Sequence, residues 1–462
     1  MVILTHGYFL AEDPKERSIM RPYPPLGLLY LSGWLEVHGV AHEVFDTTFS
    51  TMEALQARLL ENPPRVLALY VNLMTKVRVL ALIRWVREQE SLKNALNVLG
   101  GPDVSYNLES YLQHGADLIV VGEGEQTLLD IVQAEGDFSH IPGIAFRLPD
   151  GSVFKTKTRE KLRDLDQLPL PNRLKINLNL YLDAWKKAHG QSAVSLSTQR
   201  GCPYTCQWCS TAVYGQSYRR RSPAKVVEEI IWLQAHYDFD LIWFVDDVFT
   251  VSHKWLSEFR DQLQEKQVRI RFECITRADR LTEEVIQVLK EAGCFRVWIG
   301  AESGSQRIID AMDRRVEVGQ VRAMIRAASR AGIETGTFIM LGYPGETEAD
   351  IRETVRHLQE ANPDLFTITV AYPIKGTGLY ESVKETITAR LPWEISSDRD
   401  LDFQRTYPKR YYDYAVRWTV NAVHWHKAKL SGNALSWPGV KALGKMMVAR
   451  AGMRWSRFGV YD

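Results

Sequence analysis

Only five of the 462 residues are cysteine, and residues 1–201 contain none. That scarcity excludes a disulfide framework of the kind small secreted domains depend on. An excess of one charge is missing too: 57 Lys and Arg face 56 Asp and Glu, a net of +1, so the overall balance gives no reason to expect nucleic acid. No apolar run approaches the roughly 18 residues of a membrane span. The start, Met1-Val2-Ile3-Leu4-Thr5-His6, lacks the basic end and longer apolar stretch of a secretory signal. Low-complexity tracts and internal repeats are not found either. A cytoplasmic location in a reducing setting is the expectation. What remains is ordinary globular composition, 45% hydrophobic and 24% charged, in a chain long enough for about three domains.

Three of the cysteines crowd into eight residues, Cys202-Pro203-Tyr204-Thr205-Cys206-Gln207-Trp208-Cys209. Thiolates at this spacing can converge on one iron–sulfur cubane. Such clusters usually take four cysteines, so a three-cysteine loop leaves one iron open to a substrate or cofactor. A zinc site completed by a distant histidine, or cysteines packed in a core, are the plainer alternatives. The run from Arg200 to Cys209, with Trp208 before the last cysteine, resembles the signature of the radical S-adenosylmethionine (SAM) superfamily. That resemblance implies a 4Fe-4S cluster on Cys202, Cys206 and Cys209 whose open iron chelates SAM. It also implies reductive cleavage of SAM to a 5'-deoxyadenosyl radical, and a low-oxygen setting.

Residues 1 to about 135 alternate short apolar strands with helices such as Leu26 to Val37, which argues for a doubly wound parallel sheet. Ligands on such sheets bind beyond the carboxyl ends of the strands. Three of those ends read Asn72-Leu73-Met74-Thr75, Gly100-Gly101-Pro102 and Gly122-Glu123-Gly124-Glu125. Each glycine taken singly is best explained as a tight turn. Together, ahead of the cysteine loop and with Arg21 to Gly27, they resemble the cobalamin-binding domain of cobalamin-dependent radical SAM enzymes. The resemblance implies cobalamin contacts at Leu73, Gly100, Gly101, Glu123 and Gly124. One departure stands out. The Asp-x-His-x-x-Gly run that supplies cobalt with a histidine in other cobalamin domains is missing from Gly7 to Met20, and His6 has the wrong neighbours. The expectation is cobalamin without that lower ligand, against a degenerate domain that binds nothing.

Turn signals and an extended Pro-containing stretch make residues 141–190 a linker. Strand–helix alternation then resumes, and six strands imply a partial (β/α)6 barrel with its chemistry at the carboxyl ends. Their exits carry Asp246-Asp247, Arg277, Glu302 and Gly342-Tyr343-Pro344-Gly345. By the same resemblance Trp208, Asp247, Arg277, Glu302, Gly342 and Gly345 surround SAM, with Glu302 on the ribose and Arg277 near the carboxylate. A divalent-metal or merely solvated role for the aspartates stays open, as does a surface ion pair of Arg277 with Asp279 or Glu283. Cys274 and Cys294 read as buried small hydrophobes.

From Tyr407 onward ten Lys or Arg face two Asp, among many tyrosines and tryptophans. A helical cap, a substrate-facing element and a membrane-surface contact all fit. The division expected is 1–140 cobalamin-binding-like, 141–190 linker, 191–380 radical SAM partial barrel, and 381–462 a helical basic-aromatic region. The chain broadly resembles the anaerobic magnesium-protoporphyrin ester cyclase and methylase group. That implies methylation of an unactivated carbon on a small-molecule or lipid-like substrate, with a flavodoxin- or ferredoxin-type reductant and no nucleic acid. Radical cyclisation, rearrangement or oxidation, with or without cobalamin, is the first alternative, and a non-enzymatic corrinoid- or metal-binding sensor the second. A methylthiotransferase would need three further cysteines upstream. No residue is singled out as catalytic.

Overall fold

A computed structural model describes residues 1–134, 136–389 and 391–457; the end of the basic-aromatic region, 458–462, lies outside them. The described residues form two compact units. The first draws on 1–203, 210–243 and 391–399, the second on the remaining described residues.

In the first unit the strands are β1 (Val2–His6), β2 (His42–Phe45), β3 (Val66–Tyr70), β4 (Leu96–Gly100), β5 (Leu118–Val120), β6 (Ile144–Arg147) and β7 (Val153–Lys155). They pair in the order β2-β1-β3-β4-β5-β6-β7. The first five are parallel, and the β6–β7 hairpin adds an antiparallel edge. Alternation along β3 shows why this sheet needs cover on both faces. Leu67, Leu69 and Val71 enter a core with Val79, Ile83 and Val86 of the helix Lys76–Glu88. Val66 and Ala68 enter the other, with Leu28, Leu29 and Leu35 of the helix Leu26–Val37. Successive side chains point to opposite faces, so a strand buried on both sides must be apolar throughout. The sheet is doubly wound, and its strand order reverses at the β1/β3 boundary, where such sheets open a crevice.

Two further features hold this unit together. Glu229 is buried between two arginines, accepting from Arg173 at 2.9 Å and from Arg221. A buried carboxylate without such partners would carry a heavy desolvation cost. The segment 391–399 also belongs here. Trp393 stands edge-on to Tyr111, with ring centroids 4.8 Å apart, and takes the Lys76 ammonium over its face at 4.0 Å.

The later strands are β8 (Ala193–Leu196), β9 (Gln199–Arg200), β10 (Arg219–Arg220), β11 (Leu241–Phe244), β12 (Phe272–Thr276), β13 (Cys294–Glu302), β14 (Glu334–Leu341) and β15 (Leu365–Val370). A six-stranded sheet runs in the order β15-β14-β13-β12-β11-β8. The pairs β12–β13, β13–β14 and β14–β15 are parallel. This is the expected half-barrel arrangement. In the second unit it is followed by two long helices, Lys409–Leu430 and Trp437–Ser456. Gly452 lets them close together, because a Cβ there would strike the Tyr414 ring at 2.5 Å. Among the described residues no helix is long and apolar enough to cross a membrane.

Candidate active site

The cysteine loop leaves β9, which pairs with β10 in a short antiparallel ladder. Gly201 turns the chain with φ +80°, and a Cβ there would meet the Ser217 carbonyl oxygen at 2.5 Å. Only glycine meets both demands. None of the three motif cysteines is in a disulfide: Cys202 is buried, Cys206 half-buried and Cys209 exposed. Cys202 lies in the first unit, Cys206 and Cys209 in the second.

Within the second unit the segment Tyr204–Cys209 is fastened by its backbone. Gln207 N–H donates to the Met312 carbonyl at 3.1 Å, and Gln207 C=O accepts from Leu379 N–H at 2.7 Å. Gly378 makes room for this crossing, since a Cβ would collide with the Gln207 side chain. Cys206 then meets two arginines. Arg277 Nη1 lies 3.7 Å and Arg314 Nη1 3.6 Å from its sulfur. Arg277 is buried, donates to Asp279 at 2.8 Å and to the Arg314 carbonyl at 2.7 Å, and stacks 3.9 Å over the Tyr204 ring. The Asp279 pair therefore exists, but around a buried guanidinium rather than on the surface. N–H groups aimed at sulfur are a main lever on the potential of an iron–sulfur cluster, so this donor set fits one.

Glu302 ends β13 in a left-handed conformation, φ +63°, at a register shift against β14. A non-glycine residue held there carries strain, which concentrates at functional sites. Arg314 Nη2 stands 3.7 Å from Glu302 Oε1. Burial pushes the Glu302 carboxyl upward, and the charges of Arg314 and Arg277 hold it back. Gly300 gives both groups their space, since a Cβ there would strike Arg314 and come within 2.9 Å of Glu302 Oε1. Glu302 and Trp208 line a cavity of about 290 Å³ together with Phe338, Met340, Thr367, Thr369 and Tyr372. A small cavity with a half-buried carboxylate and an indole wall suits a hydroxyl-bearing, flat ligand such as a nucleoside.

The other expected SAM residues, Asp247, Arg277, Gly342 and Gly345, are not among those that line the cavity. Asp247 reaches solvent, yet protein atoms crowd its carboxyl group; that burial and the Asp246 charge push its pKa up. Gly342 N–H is taken by Glu346 Oε2 at 2.6 Å, and Gly345 C=O by Arg307 at 2.9 Å. Cys274 and Cys294 are buried, and burial pushes the Cys274 thiol up. Among the described residues no group of three or more His, Cys, Asp or Glu side chains makes a single-ion site.

The cobalamin candidates all fall at the carboxyl ends of β3, β4 and β5. Gly101 has φ +117°, and a Cβ would press on the Val71 backbone; at Gly100 the nearest atom to an added Cβ is Val120 Cβ at 3.7 Å. Glu123 is already engaged by the protein: Arg219 at 2.8 Å, Arg200 at 3.3 Å and Leu162 N–H at 2.9 Å. His6 is engaged too. Tyr8 N–H donates to its Nδ1 at 3.2 Å, which leaves Nε2–H to face Asp46 at 3.0 Å. Asp46 also accepts from Tyr181 OH at 2.6 Å. Burial alone would raise the Asp46 pKa, but His6, Tyr181 and Thr48 N–H outweigh it and hold the carboxyl low. With both ring nitrogens used, His6 offers a corrinoid no imidazole. Glycine-lined strand ends without a free histidine fit a cobalamin held in the manner the sequence suggests.

Two family models cover these regions. The Radical SAM superfamily model matches residues 196–358, and the B12 binding domain model matches residues 18–132. The chain is a radical SAM protein that carries a B12 binding domain. Its cofactors are accordingly a 4Fe-4S cluster, SAM and cobalamin. This radical SAM protein is 27% identical over 403 residues to an uncharacterized methyltransferase of Pyrococcus horikoshii, a match spanning 83% of the chain and 84% of the relative. It is 26% identical over 383 residues to the anaerobic magnesium-protoporphyrin IX monomethyl ester cyclase of Rubrivivax gelatinosus, covering 80% of the chain and 67% of the cyclase. In fold it is similar to the cobalamin-dependent SAM radical enzyme OxsB with aqua-cobalamin bound. That likeness has a TM-score of 0.75 and 16% identity, over 97% of this chain and 72% of OxsB.

Arg314 is the residue that sequence reasoning passed over. It lies in the charged run Asp313-Arg314-Arg315, where it is buried between two residues of left-handed φ, +50° and +53°.

Proposed function

We propose that this enzyme is a cobalamin-dependent radical SAM methyltransferase that modifies an unactivated carbon of a small-molecule or lipid-like substrate. The observation that carries the reading is the Cys206–Arg314–Glu302 chain, in which one guanidinium faces a motif thiol and a half-buried carboxylate that lines the cavity. When bound, the cofactors supply a 5'-deoxyadenosyl radical for hydrogen abstraction and a methyl group for transfer. The chain's own residues bind and orient. Cys202, Cys206 and Cys209 are the proposed cluster ligands. Glu302 accepts the ribose hydroxyls, Trp208 walls the cavity, and Arg277 and Arg314 offset negative charge at Cys206. Asp247, Gly342 and Gly345 are proposed to approach SAM through backbone or side-chain contacts, and Leu73, Gly100, Gly101, Glu123 and Gly124 to border the cobalamin.

The division proposed is 1–140, 141–190, 191–380 and 381–462, with the last region recruiting the substrate or touching a membrane surface. A flavodoxin- or ferredoxin-type reductant and an anaerobic cytoplasm complete the reading. The relatives named as cyclases favour a second reading, radical cyclisation at the same site. Anaerobic reconstitution with iron, sulfide and cobalamin tests both. SAM should be converted to 5'-deoxyadenosine and, for methyl transfer, also to S-adenosylhomocysteine. In Glu302→Gln, SAM binding should weaken by roughly 1–3 kcal/mol, the range for a hydrogen bond involving a charged group. Absence of S-adenosylhomocysteine with 5'-deoxyadenosine still formed would favour cyclisation, and unchanged SAM affinity in Glu302→Gln would remove the ribose assignment.

A further inference from the structure

The last helix, Trp437–Ser456, carries two apolar faces, and only one is covered. Gly439, Ala442, Ala449 and Met453 are buried, the last three on the side that packs toward the preceding helix. At helical spacing on the opposite side stand Trp437, Val440, Met447, Val448 and Trp455, with exposures of 76%, 45%, 63%, 69% and 68%. Leu435, in the turn before the helix, is 91% exposed. Single exposed apolar residues need no explanation, but a contiguous row along a 20-residue helix does.

The charges around this row identify what covers it. Residues 431–457 contain five Lys or Arg and no Asp or Glu. Lys441 and Lys445 border one edge of the row. Arg454 borders the other, with Arg450 behind it, stacked 5.5 Å from the Trp418 ring. Arg410 stacks on Trp455 at 4.4 Å and brings a further cation to that end. Tryptophans stand near both ends of the row, the position such amphipathic rings take at a lipid–water boundary. The helix cannot roll to bury the row inside the protein, because its other face is already packed. It is also too polar to span a bilayer.

We propose that this face of the last helix lies on an anionic phospholipid bilayer, its apolar row among the acyl chains and its bordering cations on the phosphates. The proposal gives a residue-level basis to the membrane contact named under the proposed function, and it stands independently of the radical chemistry. Each cation near an anionic surface contributes roughly fivefold to partitioning at low salt.

The test uses the full-length, anaerobically reconstituted protein with vesicles of phosphatidylcholine alone or mixed with phosphatidylglycerol. Co-sedimentation should require phosphatidylglycerol and weaken with salt, because surface attraction is screened over about 10 Å at 0.1 M ionic strength. The double substitution Met447→Glu/Val448→Glu, at two solvent-facing positions, should lower binding at least tenfold. Leu174→Glu, an equally exposed apolar position in the first unit, should leave binding unchanged. Circular dichroism of each variant should match the parent. No binding by the parent, equal binding to phosphatidylcholine alone, or full binding by the double variant each overturns the proposal. So does a dimer that the double variant dissociates, since a second copy would then be the cover. SAM cleavage in the same samples reads the enzymatic proposal separately: its loss with vesicle binding retained, or the reverse, shows which of the two has failed.

Discussion

Arg314 places one guanidinium nitrogen 3.6 Å from the Cys206 sulfur. Its other terminal nitrogen lies 3.1 Å from the Gly300 carbonyl, to which it donates, and 3.7 Å from Glu302. A single side chain thus binds the cysteine loop to the end of β13. Its planar fork allows this; a lysine has one charged atom and would have to choose.

Arg314→Met should still assemble a cluster, with a more negative reduction potential once a positive charge and a donor to sulfur are gone. SAM affinity should fall too, because the Arg314 charge no longer holds the Glu302 carboxyl against the upward push of burial. A potentiometric titration followed by EPR, with SAM binding measured on the same preparation, checks both parts.

Alanine at Cys202, Cys206 or Cys209 should each remove most cluster iron and sulfide under anaerobic reconstitution. Alanine at the buried Cys274 should retain both and cost only stability, by roughly 1–2 kcal/mol for a small truncated core side chain. Iron and sulfide analysis separates the two groups. Iron retained in any one motif variant would contradict the ligand set.

Gly100 and Gly101 separate cofactor space from backbone need. Gly101→Ala should destabilise the first unit by roughly 1–3 kcal/mol whatever binds there, because φ is +117° and Val71 is in the way. Gly100→Ala meets only ordinary contact and should fold normally. Gly100→Phe should then weaken cobalamin binding while sparing the iron content. Absorption spectra after cobalamin loading, together with thermal unfolding, distinguish these outcomes.

Glu346 supplies a pH signature. It is fully buried, its Oε1 has no protein partner, and burial first, with Asp350 adding to it, pushes its pKa up to about 8 from 4.5. The folded protein therefore binds this proton more tightly than the unfolded chain, so this residue's contribution to stability declines as pH rises from about 4.5 to about 8 and is constant above. Glu346→Gln keeps an oxygen for Gly342 N–H and cannot ionise. Its melting temperature, relative to the parent, should rise progressively between about pH 5.5 and about pH 8. A constant difference across that range would mean that Glu346 is charged in the folded protein.

Much of the fold could be read from local pattern. The helix Leu26–Val37 has the expected limits, bounded by Pro25 and by Gly39 at φ +70°. Apolar runs such as Val66 to Val71 are strands because both their faces are buried. Less visible were relationships between residues far apart in sequence. Arg314 and Cys206 are 108 positions apart, and Glu123 is satisfied by Arg200 and Arg219, 77 and 96 positions on. A charged side chain in a sequence carries no mark of which opposite charge it will meet. Short motifs disclose chemistry, whereas the groups that tune them depend on the tertiary fold.

Trp393 belongs to a nine-residue stretch, 391–399, that completes the first unit from far downstream. A gene fragment ending before it would encode a first unit whose Tyr111 and Lys76 had lost the indole between them. Recombination that exchanged only the front half of such a gene would separate a socket from its plug. The front and rear segments are therefore expected to be inherited together, and chimeras between relatives should succeed only when the late stretch travels with the early sheet.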